Sequence, residues 1–512
     1  MLHNLDWLKK GEPFPPTSEA ERIKRYKAND KFFAGEHFKA SKGSLYHEYA
    51  KRISRVVDNF SDFVSFPVLL NYQRLMALKT ADLVCGEYPT ITGKSDSATK
   101  VITQIREETD HDLKTYASVI DLCRYGDTIW RIYKDRKSSK HTYTVWDIKD
   151  WFPIVSQDGT YTIEKHVLAW VVEISDNEYW DELHVQIHEE GFYTYKVFNI
   201  SKTHVITVNE DFSRVIGKQI AADKRVSTSI DGNAVIHTRN LYTSGTVFGY
   251  DDFSNIDPII AELMTRIAQV SSILDKHANP SMTGPVSLLK KDPKTKELMF
   301  ETGDYYGVNV NEEKPQYLTW EGQLNFAFDQ VKLLINQLYI LSEMGSALLG
   351  AGGSESGQAI SGTAMRMKMA NPLSKARRIS NLLTSPTKAL IEKVSSLGYT
   401  GVNRKDISIV WKDGLPSDPR EVVDLAKAAT GEPHLMPLKT AIIEYFERTE
   451  AQADEWIDKL DEQVKKSMEL TMSNTEQEPD GSYKATGSTQ SKGSMTGLND
   501  PNRKSLSGSE DK

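Results

Sequence analysis

Two amphipathic segments enclosing a short glycine- and proline-rich insert constrain the fold more than any other feature of the chain. Ile256, Ile259, Ile260, Leu263, Ile267, Val270 and Leu274 recur mostly at steps of three and four, the spacing of one helical face. Asp257 followed by Pro258 supplies a capping residue and a first-position proline. This pattern stops near His277-Ala278-Asn279-Pro280. A second helix is predicted over about 322–345, with Phe326, Val331, Leu334, Leu338 and Leu341 on its apolar stripe. Each helix is ~30–35 Å long at ~1.5 Å per residue. The insert, about 281–321, carries Gly284, Pro285, Gly303, Gly307 and Pro315 and is expected to be irregular or β-rich.

A glycine- and serine-rich loop follows, Leu349 to Gly362, with Gly350, Gly352, Gly353, Ser354, Glu355, Ser356, Gly357 and Gln358. Its composition predicts a flexible segment. A long helix is then predicted over about 363–397, bent at Pro372 and Pro386. It carries Arg366, Lys368, Lys375, Arg377, Arg378, Lys388 and Lys393 against Glu392 alone. These cations are expected to pair with neighbouring subunits, while Leu382, Leu383, Leu390 and Ile391 are buried. A strand over Ile407–Trp411 closes this part.

Upstream the texture is different. Thr128–Tyr133, His184–His188 and Tyr193–Val197 alternate with period two, and Asp158-Gly159 and Asp231-Gly232 mark turns. About 127–247 therefore reads as mostly antiparallel sheet with one polar face per strand. Residues 17–57 read as helical, capped by Thr17 or Ser18, and a further helix runs from about Tyr72 to Leu83. Residues 418–470 are helical again, with seven basic against thirteen acidic side chains. After Leu470 almost nothing can be buried, so 471–512 is expected to be disordered. Helices and sheet in separate stretches give an α+β class.

The 512 residues correspond to about three domains at roughly 150 residues each. The formal charge of −8 argues against a surface that grips nucleic acid all over. The only cysteines, Cys85 and Cys123, fit a reducing cytoplasm. No apolar run reaches the ~18–20 residues that span a bilayer, and the first ten residues do not read as a signal peptide.

Catalytic signatures fail on inspection. Gly93-Lys94-Ser95 ends like a phosphate-binding loop, but the required upstream glycine position holds Tyr88. His184 and His188 sit in an alternating strand, where four residues span ~13 Å and cannot share a metal. Gly353-Ser354-Glu355-Ser356-Gly357 places Glu at the centre of what would be a nucleophile elbow. No catalytic residue, metal site or cofactor is expected.

The ordered segments resemble a portal (connector) protein of tailed double-stranded-DNA bacteriophages, of the siphovirus-like group. Tyr26–His37 looks like the family's aromatic-rich opening helix, and Asn71–Pro89 like its next helix, turn and strand. Asn240–Phe253 resembles the entry to the stem, and Ser361–Arg366 the segment after the tunnel loop. The resemblance covers about 17–470. It implies a wing at 1–252, a stem helix at 253–280, a clip at 281–321 and a second stem helix at 322–345. It further implies a tunnel loop at 346–362, a long kinked wing helix and strand at 363–417, a crown at 418–470 and a tail at 471–512.

A non-enzymatic subunit of a twelve-membered ring is implied, at one capsid vertex of the virion and assembled in the bacterial cytoplasm. Double-stranded DNA is packaged through such a channel by terminase and later ejected. Head-completion or adaptor proteins, major capsid protein and scaffolding protein are the further partners, and no membrane is involved. Glu262, Arg266, Asp329, Lys332 and Glu343 would line the channel. The two stem segments, with Glu321 just before the second, hold three cations against six carboxylates, so their walls would let phosphate slide instead of gripping it. Lys290, Lys291, Lys294 and Lys296 would meet a clip partner. The rival readings are a DNA-processing enzyme subunit and another phage head or tail ring protein.

Overall fold

The computed structural model of the chain describes residues 1–37, 69–206, 212–278, 282–285, 290–291, 298–299, 305–308, 316–317, 324–346, 366–412, 419–431, 435–446, 448, 450–473, 475–477 and 483–485. Helix and sheet are mixed, and the chain divides into two units, Met1–Leu415 and Pro416–Lys512.

In the first unit α1 (Ala20–Ala34) and α2 (Tyr72–Cys85) lead to a short strand, β2 (Thr90–Gly93). The terminal strand β1 is Pro13–Phe14. Thr17–Glu19 form a separate 3-10 turn, so neither Thr17 nor Ser18 caps α1. Glu19 is buried there instead, paired with Arg22 at 2.7 Å. Asn71 caps α2 by accepting the Arg74 amide at 3.0 Å. Two further helices follow, α3 (Asp96–Glu108) and α4 (His111–Tyr125).

The sheet region matches its alternation. β3 (Asp127–Lys134) pairs with β4 (His141–Trp146) and with β11 (Val235–Arg239), all antiparallel. The larger sheet places β5 (Trp151–Val155), β6 (Ile163–Val172), β7 (Trp180–Glu189), β8 (Phe192–Ile206) and β9 (Phe212–Gln219) side by side. β1 lies outside β9, and β10 (Lys224–Ser227) pairs with β8. On β7, Leu183, Val185 and Ile187 face the core with Trp151, Phe152 and Ile200. The other face of β7 is polar as expected, yet Gln186 and His188 on it are buried too. Tyr193, opposite His188 on the neighbouring strand β8, stacks on the His188 ring at 5.1 Å.

The chain then leaves the sheets in α5 (Asp257–Ala278) and returns in α6 (Leu324–Leu341). Between them β12 (Met282–Pro285) pairs in parallel with β15 (Tyr305–Val308) and antiparallel with β16 (Gln316–Tyr317). β13 (Lys290–Lys291) pairs with β14 (Leu298–Met299). The insert is thus a small β element. α7 (Ala370–Ser395) runs without interruption. Pro372 is its third residue, where an amide has no intrahelical acceptor, so no break is required there. β17 (Ile407–Val410) finally pairs with β2, placing Ile407 opposite Gly93. This pairing joins the start of the unit to its end and makes the helix–insert–helix an excursion from one body.

The second unit contains α8 (Pro419–Thr430), α9 (Leu438–Phe446) and α10 (Glu450–Ser473). Order extends past Leu470: α10 ends at Ser473, and Thr475–Gln477 pairs with Tyr483–Ala485. A polar composition signals the lack of a core, and backbone hydrogen bonds do not require one.

Candidate assembly surface and stem base

α5 is rooted by its sequence. Ile256, Ile260, Met264 and Ala268 are buried with Phe32, Met76, Leu338 and Met344. Ahead of the helix, the Asp251 carboxylate accepts the amides of Phe253 at 3.1 Å and Ser254 at 2.7 Å. Asp257, in the first turn, accepts Gln73 Nε2 at 2.9 Å from α2.

Three helices converge on one buried ammonium. Lys375 on α7 is 3% exposed. Its Nζ pairs with Asp252 Oδ2 at 2.7 Å, just before α5, and donates to the Ser342 carbonyl at 3.2 Å, just after α6. Burial alone would lower Lys375, but Asp252 turns the net shift upward. Asp252 also accepts Asn240 Nδ2 at 3.1 Å. Removing one partner of a buried pair leaves the other charge uncompensated. Lys375→Ala is therefore expected to cost about 3–5 kcal/mol by chemical denaturation. Lys375→Met combined with Asp252→Asn should lose less than Lys375→Met alone; a strictly additive cycle would show that the pair is not coupled.

This arrangement revises the basic helix. Lys375 pairs with Asp252, Arg378 pairs with Glu343, and Lys393 donates to the Asp231 carbonyl, all within one chain. Intersubunit pairing is not needed for these three cations. Leu383, Leu390 and Ile391 are buried as expected, and Leu382 is half-buried.

The charges expected to line a channel are locally matched. Glu262 and Arg266 form an i,i+4 pair at 2.7 Å. Asp329 and Lys332 lie 3.7 Å apart, each about 70% exposed. Glu343 pairs with Arg378. Each described carboxylate of this set has a cation beside it, so the set carries less net charge than the count of acids implies.

The stripe expected on α6 is only partly the one that is buried. Leu338 is fully buried and Val331 and Leu334 are half-buried, but Phe326 is 70% and Leu341 49% exposed. Phe326, Leu333 and Ile340 stand seven residues apart and are 70%, 57% and 64% exposed. They form a second apolar row, roughly 21 Å long at ~1.5 Å per residue. A helix apolar on two faces is built to be covered on both. The heptad spacing was legible in the sequence, but only the fold tells which row faces the body. In the second unit α10 exposes Leu460, Val464 and Met468 at four-residue steps.

Other expected residues are placed as follows. Lys290 and Lys291 lie on β13, while Lys294 and Lys296 fall outside the described residues. So do Gly350, Gly352, Gly353, Ser354, Glu355, Ser356, Gly357 and Gln358. Gly93 ends β2, and Ser95 caps α3 by accepting the Ala98 amide at 3.2 Å. That hydroxyl serves a helix start, not a phosphate loop. His184 and His188 both lie on β7, engaged with Glu182 at 3.0 Å and Gln186 at 3.1 Å. Among the described residues no cluster of three His, Cys, Asp or Glu could hold a metal ion. No helix among them is long and apolar enough to cross a membrane.

No protein-family model matches the chain, and no curated protein matches it significantly. Among solved structures it is similar to chains of gene transfer agent (GTA) particles. One, from the neck of a native GTA particle with C12 symmetry, is 12% identical and covers 85% of this chain and 96% of that chain, with a TM-score of 0.41. A second, from the virion of a native GTA particle, is 10% identical with the same coverage and a TM-score of 0.42. A third, from the neck of an empty GTA particle with C6 symmetry, is 11% identical, covers 85% and 95%, and has a TM-score of 0.41.

Proposed function

We propose that this chain is a non-enzymatic portal subunit. It assembles into a ring, of twelve copies by family resemblance, whose axial channel passes double-stranded DNA at one vertex of a phage-like capsid. The observation that carries this reading is the exposed Phe326–Leu333–Ile340 row on α6. It lies on the second of two helices that flank a small β insert, in the order that the portal resemblance requires. A row of this kind meets a partner helix, and a ring supplies an identical one at every interface. In this reading α5 and α6 are the stem, the β insert is the clip that terminase and head-completion proteins meet, and the second unit is the crown.

The test is imaging of the purified full chain at assembly concentration. Rings with a central pore wide enough for a duplex are expected. A monomer at every concentration would overturn the reading, and a ring whose pore is not lined by α5 and α6 would favour another head or tail ring protein.

The loop Gly350–Gly357 is proposed to contact DNA in the channel. Glycines allow close backbone approach, and serine hydroxyls can bond phosphate without ionic grip. Deleting Gly350–Gly357 is expected to leave rings intact while DNA packaging or retention falls in a particle assay. Loss of ring assembly would make the loop structural instead.

A further inference from the structure

We propose that the sheet body carries a binding site for a phosphate oxyanion, in the cleft between β3, the β3–β4 turn, β7 and residues 226–230. The site is separate from the channel elements and stands whichever assembly the chain forms. The cleft has a volume of about 690 Å³ and is lined by Arg131, Lys134, Arg136, Lys137, His188 and Thr228, among others. This is within the range of ordinary small-ligand pockets.

Arg131 is the centre of the argument. Its guanidinium lies 4.7 Å from the Trp146 ring centroid and 5.8 Å from that of Tyr133. Among the described residues it makes no ion pair, and its buried Nε makes no hydrogen bond. Burial holds Arg131 below the ordinary guanidinium value. Because a guanidinium does not deprotonate in proteins, the unfavourable burial is relieved by an anion and not by loss of a proton.

His188 is the second observation. It is 1% exposed, lines the same cleft, and its Nδ1 is buried without a hydrogen-bond partner. Its Nε2 is already engaged with Gln186 at 3.1 Å. Buried polar atoms without partners are uncommon and call for an explanation. Phosphate oxygens supply the acceptors that Arg131 lacks, and a protonated phosphate oxygen donates to Nδ1 of His188, which burial holds neutral with its one proton on Nε2 toward Gln186 Oε1. The one carboxylate lining the cleft, Asp135, is committed to the Ser138 amide at 2.8 Å and hydroxyl at 2.7 Å. Lys134, Arg136 and Lys137 form an exposed cationic rim, and Thr228 adds a hydroxyl donor. A tetrahedral phosphate, with several acceptor oxygens and up to two negative charges, matches this set of donors better than chloride does.

Free phosphate and a nucleic-acid backbone both offer that group. The full chain is titrated with inorganic phosphate at constant ionic strength, by calorimetry, and separately with a short DNA duplex. Wild-type protein is expected to bind phosphate, with Arg131→Met weakening it at least tenfold. Lys134→Gln with Lys137→Gln, on the exposed rim, should weaken it several-fold without changing the thermal midpoint. An Arg131-dependent response to duplex with none to phosphate would identify the backbone as the source and still support the site. Absence of any response to either probe overturns the proposal. So does a response that neither the Arg131 variant nor the rim variant alters.

Discussion

If the wild type forms the proposed ring, a chain carrying Leu333→Glu and Ile340→Glu is expected to fold and to remain monomeric under the same conditions. Both side chains are more than half exposed, at 57% and 64%, and glutamate is a good helix former. Within one subunit the change should cost less than about 1 kcal/mol, as surface substitutions do. At an interface the arithmetic reverses. Fully covering an apolar side chain of this size contributes roughly 1.5–3 kcal/mol, and each glutamate instead brings a charge that must be desolvated. The defect repeats at every subunit contact, so closure of the ring is lost entirely. Light scattering and imaging measure the outcome. Concentration-dependent thermal midpoints in the wild type, absent in the variant, would confirm that association and stability are linked. Rings that persist with both glutamates would place the interface elsewhere and remove the main support for the portal reading.

Gly249→Ala is expected to be the most damaging Gly→Ala change among the described glycines. A Cβ at Gly249 would lie 1.9 Å from the Gly126 carbonyl oxygen, and 2.7 and 2.8 Å from the Asn240 carbonyl oxygen and amide nitrogen. All three are backbone atoms, so no rotamer change relieves the contact. The crossing cannot simply open either. Asn240 donates its amide to the Gly126 carbonyl at 2.7 Å, and Gly249 donates its amide to Asp127 at 2.9 Å. Asp127 is fully buried and also accepts Tyr26 Oη and His237 Nε2, each at 2.8 Å. The strap 240–252 leads directly into α5, so the clash would unseat the root of that helix together with the sheet. A loss above about 4 kcal/mol, in the exceptional range for point substitutions, is expected, seen as failure to fold or a large drop in denaturation midpoint. Gly245→Ala provides the contrast. No atom lies within 4 Å of its Cβ, and only its φ of +80° opposes a side chain, a cost of about 1–2 kcal/mol. Equal effects at the two sites would refute the crossing argument.

The buried root of α5 was legible in the sequence. The α5 periodicity predicted Ile256, Ile260 and Leu263 as core, and all three are fully buried. The α6 periodicity was ambiguous because two apolar rows share that helix, and both rows satisfy a helical period. The cations of α7 read as partners for neighbouring subunits because charge in a sequence carries no information about a partner in another segment of the same chain. Lys375 meets Asp252 across a large stretch of chain, and no local pattern announces such a pair.

The sequence by itself determined the order and type of the described elements: sheet, helix, small insert, helix and long basic helix. Periodicities of two and of 3.6 are properties of neighbouring residues, and hydrophobic burial enforces them wherever the segment packs. Only the tertiary structure decided that β17 closes on β2, that the Phe326–Leu333–Ile340 row stays uncovered within one chain, and that Arg131 and His188 share a cleft. Those outcomes depend on long-range packing, which brings together groups whose positions in the sequence impose no mutual constraint.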